Sequence, residues 1–235
     1  MSFLNAEWKK LAIANYVTDK EILSKYLPAG TELDLWQNKC MISLVGFMFK
    51  NTKLLGVKIP FHVNFEEVNL RFYVKRIENG ELKRGVVFIK EIVPKPALSI
   101  VANTVYNENY ETLPMSHRWE ETAESLFVEY NWKKGNRKNS FLIESEPESL
   151  EIEPGTETEF ITEHYWGYAK VNDRTTNEYQ VTHPRWKVYP VKNYSIDVDF
   201  GKVYGSEFEF LNTVKPDSVM LAEGSEITVE KKRKI

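Results

Sequence analysis

Apolar and polar residues alternate most clearly along Phe65-Glu66-Glu67-Val68-Asn69-Leu70-Arg71-Phe72-Tyr73-Val74. A strand sends successive side chains to opposite faces. Val68, Leu70, Phe72 and Val74 then share one face with Glu66, and that face suits a core. Glu67, Asn69, Arg71 and Tyr73 share the other. This second face is either an ordinary wet surface or the polar wall of a cavity. Glu78-Asn79-Gly80 predicts a tight turn into a partner strand over 85–92, because Asn-Gly accepts the positive dihedrals such a turn requires.

Upstream, Trp8, Leu11 and Ala12, then Ile22, Leu23, Tyr26 and Leu27, recur at helical spacing and predict helices within 3–27. Thr18-Asp19-Lys20-Glu21 supplies the cap of the second helix, and Pro28-Ala29-Gly30 ends it. Strands are predicted at 32–36 and 39–49. Past Pro94-Lys95-Pro96, the apolar positions Ala97, Ile100, Val101 and Val105 predict a helix over 97–106, packed on the sheet. Strands follow at 117–125 and 126–132, and a basic turn at 133–138 leads into another at 140–145. The acidic stretch 144–154 reads as a loop, and 155–159 as the start of a short helix. Further strands are predicted near 178–181, 185–190, 195–200 and 218–229, with a frayed, solvated tail over 230–235. Many short strands with few helices predict one α+β domain over 1–235, mostly β, with a curved or closed antiparallel sheet and peripheral helices.

Composition narrows the function classes. The 235 residues carry 31 basic and 34 acidic side chains, a net charge of −3. Such a balance argues against nucleic acid as a partner. The single cysteine, Cys40, excludes an intramolecular disulfide framework and suits a reducing compartment. No apolar run approaches the ~20 residues needed to span a bilayer, and the start of the chain lacks a signal-peptide pattern. A cytoplasmic protein without a membrane partner is expected. Phosphate loops, nucleotide fingerprints, nucleophile elbows and zinc-binding spacings are all absent, so no cofactor and no metal is expected.

Three clusters carry candidate chemistry. The first is Glu67, Asn69, Arg71 and Tyr73, with His62 contributing from just before the strand. Arginine is a natural bidentate clamp for an anion, a carboxylate beside it is expected to have a depressed pKa, and the carboxylate and amide would orient the anion. The second is Glu163-His164-Tyr165-Trp166-Gly167-Tyr168, whose aromatics either stack a ligand or fill a barrel. The third is Thr182-His183-Pro184-Arg185-Trp186, where His183 is either an acid–base group or a satisfied, half-buried histidine.

In this order the clusters resemble the bacterial YqjF-like proteins, domain of unknown function 2071. The resemblance rests on Trp8, Leu27-Pro28, the Phe65–Val74 string, Gly85-Val86-Val87-Phe88, Ala102-Asn103-Thr104-Val105-Tyr106, Phe160-Ile161-Thr162-Glu163-His164-Tyr165 and His183-Pro184-Arg185-Trp186. It covers nearly the whole chain. Through that family the chain resembles acetoacetate decarboxylase, which implies a closed antiparallel β-structure around a cavity. It also implies a lysine that forms a Schiff base with a keto acid, beside glutamates and an arginine. The Gly-Arg-Glu-x-x-Gly-x-Pro-Lys-Lys string that carries this lysine falls near 102–111, where the glycine, arginine and paired lysines are missing. Tyr110 stands about where the nucleophile would be. Decarboxylase activity is therefore not carried over. The expected function is a cavity for a small polar or anionic molecule, with Glu67, Asn69, Arg71, Tyr73, Tyr110, Glu163, Tyr165 and His183 as candidate ligand contacts. The alternatives are an enzyme acting on a small carbonyl or carboxylic substrate, and a homo-oligomer packed through the Glu67–Arg71 face.

Overall fold

The computed structural model describes residues 2–235. It opens on a long strand, β1 (Leu4–Thr18), where helical spacing predicted a helix. The cause is a bulge. The register of β1 on its neighbour slips between Lys9 and Ala12, and Lys10 sits at φ 54°. The extra residue puts Trp8 and Leu11, three apart, in the same apolar cluster, which imitates a helical step. One turn of the expected second helix is present as α1 (Lys20–Ser24), entered from Asp19.

Next come β2 (Glu32–Leu33) and β3 (Cys40–Leu54). The predicted hairpin is β4 (Phe65–Glu78) and β5 (Glu81–Val93), turning through Asn79 and Gly80 at φ 52° and 84°. Helix α2 (Pro96–Val101) continues into a π-helical turn, Ala102–Tyr106, and then β6 (Tyr110–Thr112). A meander of β7 (Met115–Glu121), β8 (Leu126–Lys134) and β9 (Arg137–Ser145) includes the basic turn. The two-residue β10 (Leu150–Glu151) interrupts the acidic loop. Helix α3 (Glu157–Thr162) is capped by the Thr156 hydroxyl, which accepts the Glu159 N–H.

The rest of the chain adds β11 (Trp166–Asn172), β12 (Thr175–Thr182), β13 (Lys187–Tyr189) and β14 (Val191–Asp197). Helix α4 (Phe200–Tyr204) and a 3-10 turn, Ser206–Asn212, precede β15 (Ser218–Val229). Nothing in the residue pattern signalled these two helical turns. The tail does not fray: β16 (Arg233–Lys234) pairs with β12, and Arg233 bridges Glu78 and the buried Glu178.

Seven strands form a ring in the order β15-β1-β3-β4-β5-β11-β12, with β12 returning to β15. Two seams are short. The parallel contact of β5 with β11 spans Trp166↔Gly85 and Gly167↔Val86, and β12 meets β15 only at Val181↔Val229 and Thr182↔Thr228. A second, four-stranded sheet, β14-β9-β8-β7, lies outside the ring. Leu44, Leu70 and Phe72 from the ring pack with Val128, Tyr130, Phe141 and Ile143 from that sheet. The mostly β, curved architecture expected from the sequence is therefore present, as a ring with two narrow seams.

The apolar face of β4 thus turns outward to a second sheet, and its polar face turns inward. Glu67, Asn69 and Arg71 are 2%, 1% and 7% exposed. The wet-surface alternative does not describe this face.

Gly85 makes the parallel seam possible. A Cβ there would lie 2.5 Å from the Trp166 carbonyl oxygen and 2.6 Å from the Tyr168 ring. Gly85→Ala should part β5 from β11 and lower unfolding stability by about 2–3 kcal/mol, as overpacking does elsewhere. Urea unfolding reads this directly, and an unchanged midpoint would mean the seam is slack.

Candidate functional site

Inside the ring lies a cavity of about 350 Å³, walled mainly by aromatic and aliphatic side chains. Beside Thr52, His62, Thr162 and His164, its polar groups come from four places. β4 contributes Glu67, Asn69 and Arg71, spaced by two and therefore on one face. β5 contributes Glu91, directly across the ladder from Asn69. The stretch after the π-helical turn contributes Glu108 and Tyr110, and the β12 region contributes Tyr179 and His183.

A second bulge explains why Glu91 points inward. β4 and β5 slip in register between Leu70↔Lys90 and Arg71↔Phe88. Both Phe88 and Glu91 therefore line the cavity, although they are three residues apart. The Glu108 and Tyr110 stretch is held by Asn103, whose side chain donates to the Tyr110 carbonyl (3.0 Å) and accepts the Tyr110 N–H (2.7 Å). Asn109 adds a bond to the Ile89 carbonyl at 2.8 Å.

Within the cavity the Asn69 amide donates to Glu67 Oε1 at 2.9 Å, and the Tyr110 hydroxyl donates to Glu67 Oε2 at 3.2 Å. The Tyr179 hydroxyl donates to Glu108 Oε1 at 2.7 Å. Burial pushes the Glu67 and Glu108 carboxyls up to about 7. Their hydrogen bonds and, for Glu67, the Arg71 charge pull the other way. Glu91 is raised well above the carboxylate range, first by burial and then by the charges of Glu108 and Glu67. Its Oε2 has no partner among the described residues.

Arg71 is the unusual member. Its guanidinium makes no ion pair among the described residues, and its Nε has no hydrogen-bond partner. Its nearest aromatic support is Tyr73, whose ring centre lies 5.8 Å away. Buried arginines ordinarily have partners, because an unpaired charge in an apolar setting is costly. A carboxylate arriving beside Arg71 would supply one.

The other candidates are placed as follows. Tyr73 is buried just past Arg71, bonded to Ser43 at 2.7 Å, and does not line the cavity. Glu163 and Tyr165 also lie off its wall. They bond to each other, and Glu163 borders a separate recess with Trp36 and Arg84. His183 lines the cavity, stacked on Trp186 at 4.2 Å, with Nδ1 at 2.9 Å from the Pro184 carbonyl. Burial lowers its pKa.

The residue pattern did not single out Glu91, Glu108, Tyr179 or His164 as ligand contacts. His164 lines the cavity too, with Nε2 3.2 Å from Asp34 Oδ2, and burial lowers its pKa to about 4. Arg84 holds the same Asp34 oxygen at 2.6 Å. No lysine lines the cavity among the described residues. Lys90 is on the outer face of β5, bonded to Glu111 and the Val203 carbonyl.

The partly closed β-ring is the architecture of the acetoacetate decarboxylase-like fold. Acetoacetate decarboxylase from Legionella pneumophila superposes with a TM-score of 0.65 at 10% identity, over 99% of this chain and 86% of that one. The enduracididine biosynthesis enzyme MppR complexed with pyruvate gives 0.68 at 10% identity, over 100% and 91%. An acetoacetate decarboxylase-like enzyme from Sphingomonas wittichii RW1 gives 0.65 at 9% identity, over 100% and 94%. Within this fold, the chain belongs to the DUF2071 family, described as an uncharacterized conserved protein, whose pattern it matches over residues 5–226. No curated protein matches the sequence.

Proposed function

We propose that the cavity binds an organic carboxylate, with Arg71 as its clamp. The observation that carries this reading is the buried Arg71 guanidinium on the cavity wall, which has no ion pair and whose Nε has no hydrogen-bond partner among the described residues. Asn69 and Glu67 stand two and four residues along the same face and orient the rest of the ligand. Protonated, Glu67, Glu91 and Glu108 donate hydrogen bonds and add no repelling charge. One structural neighbour, MppR, was solved with pyruvate, a small carboxylate, and the shared fold supports the same general use of the cavity here. Native mass spectrometry of the protein titrated with a panel of organic monocarboxylates should give a one-to-one adduct. No adduct with any of them at millimolar concentration would overturn the reading.

A second reading is favoured by the carboxyls that titrate near neutrality. Glu67 could shuttle a proton at the carbon next to a carbonyl while Arg71 holds the carboxylate, with no imine required. Incubation with a 2-oxo acid in D₂O would then exchange the proton next to its carbonyl, seen by proton NMR. The exchange should be lost in Glu67→Gln. Exchange no faster than in buffer leaves the protein a binder and rules out this chemistry.

A further inference from the structure

The cavity is graded along its length. On β4, Arg71, Asn69, Glu67 and Phe65 follow one another at every second position, so the wall passes from cationic to aromatic over roughly 20 Å of strand. The Arg71 end is closed, because Tyr73 packs on Phe160 and His164 at 5.6 and 4.8 Å. The Phe65 end is aromatic. Phe49 stacks on Phe65 at 4.7 Å, and Trp8 meets Phe49 and Phe47 edge-on.

That end also opens to solvent. Ile59 in the β3–β4 loop and Ala97 at the start of α2 both line the cavity and are both exposed. The loop around Ile59 is apolar itself, with Leu55, Val57 and Phe61 exposed to 48%, 60% and 87%.

Size points the same way. A cavity of about 350 Å³ is of the size that takes a ligand well beyond three carbons. A pyruvate-sized acid at Arg71 would leave the aromatic end, with Phe47, Phe49 and Phe65, unfilled.

We propose that the ligand is an amphipathic monocarboxylic acid of medium chain length. Its carboxylate sits at Arg71, and its alkyl tail runs past Glu67 along Phe47, Phe49 and Phe65 to the mouth beside Ile59. This rests on the carboxylate reading above and adds the tail.

The test is a calorimetric titration with acetate, butanoate, hexanoate, octanoate and decanoate below their micellar concentrations, with decanol as the uncharged control. Affinity should rise about two- to fourfold per added methylene, a range set by the transfer of a methylene out of water. Decanol should bind at least tenfold more weakly than decanoate. Ile59→Asn, a change at the rim that adds no charge, should weaken decanoate severalfold and the short acids less. Equal affinity across the series, or tightest binding by the short acids, would overturn the tail and leave the Arg71 reading standing. Decanol binding as tightly as decanoate, or no binding by any acid, would overturn the carboxylate reading and the tail with it.

Discussion

Replacing Arg71 by Met should abolish carboxylate binding while leaving a folded protein that is slightly more stable. A charge-assisted, two-pronged contact in a buried site accounts for a large share of the affinity of a small anion. Its loss should weaken binding by about 10²–10³-fold, read by calorimetry against any acid that binds the wild type. Arg71→Lys keeps the charge but not the planar fork, and should fall between the two. The stability effect has the opposite sign. Methionine removes a buried cation that has no protein partner, so the ligand-free variant should gain about 1–2 kcal/mol in urea unfolding. Binding that is unchanged in Arg71→Met would show that the anion, if any, sits elsewhere. A large loss of stability instead would make Arg71 a structural residue.

Stability should also fall as pH rises from the ordinary carboxylate range through neutrality, and the cavity glutamates should be the cause. For a carboxyl whose pKa is raised on folding, the folded state holds its proton more tightly than the unfolded state. Its contribution is fully present below the ordinary carboxylate pKa and is lost as pH rises through the folded value. For Glu67 and Glu108 that value is about 7, and Glu91 is shifted in the same direction. On the acid side, Glu78 and Glu207 are held down to about 2 by their hydrogen-bonded basic partners. Burial likewise lowers His164 to about 4. These groups contribute stability that is lost as pH falls through their folded values. The maximum should therefore lie near the ordinary carboxylate pKa, about pH 4–5, where the two limbs meet.

Glu91→Gln isolates the alkaline limb. It should leave stability near pH 5 almost unchanged and raise it at about pH 8–9, because the amide has no proton to lose in a site where burial and the neighbouring carboxylates disfavour a charge. Anion affinity should follow the same limb, since ionising Glu67 beside Arg71 supplies an internal competitor for the clamp. A flat stability profile from pH 5 to 9 in the wild type would contradict the buried, protonated state of these carboxyls.

How far the sequence could be read depended on bulges. β4 is a regular strand in its inner half, so strict alternation sorted Glu67, Asn69 and Arg71 onto one face without error. Its neighbours are irregular. In β1 the extra residue near Lys10 brought Trp8 and Leu11 together three apart, and the pattern read as a helix. In β5 the slip opposite Leu70 and Arg71 turned Glu91 inward with Phe88, again three apart, so a buried acid passed as a surface residue. A bulge leaves no composition signature of its own and shows itself only once the partner strand is known. Glu108 was hidden for another reason: it follows Asn107, which ends the π-helical turn at φ 61°, where no strand or helix period applies. Glu163 and Tyr165 drew notice because they stand in an aromatic cluster, but what they bond is each other.

The pairing of β1 with both β3 and β15 has a consequence for how the molecule is made. Leu4 is a ladder partner of Leu54 and also of Val229, more than two hundred positions apart along the chain. On the ribosome, β1, β3, β4 and β5 can assemble as a nascent meander once residue 93 has emerged, and the outer meander can follow. The inner wall of that half-built ring, with its aromatics and its arginine, stays open to water until β15 slides in beside β1. Contacts of such long range are slow to form, because their loop entropy must be met before they give any return. The ring, and with it the cavity, is complete only when β15 is paired with β1 and β12.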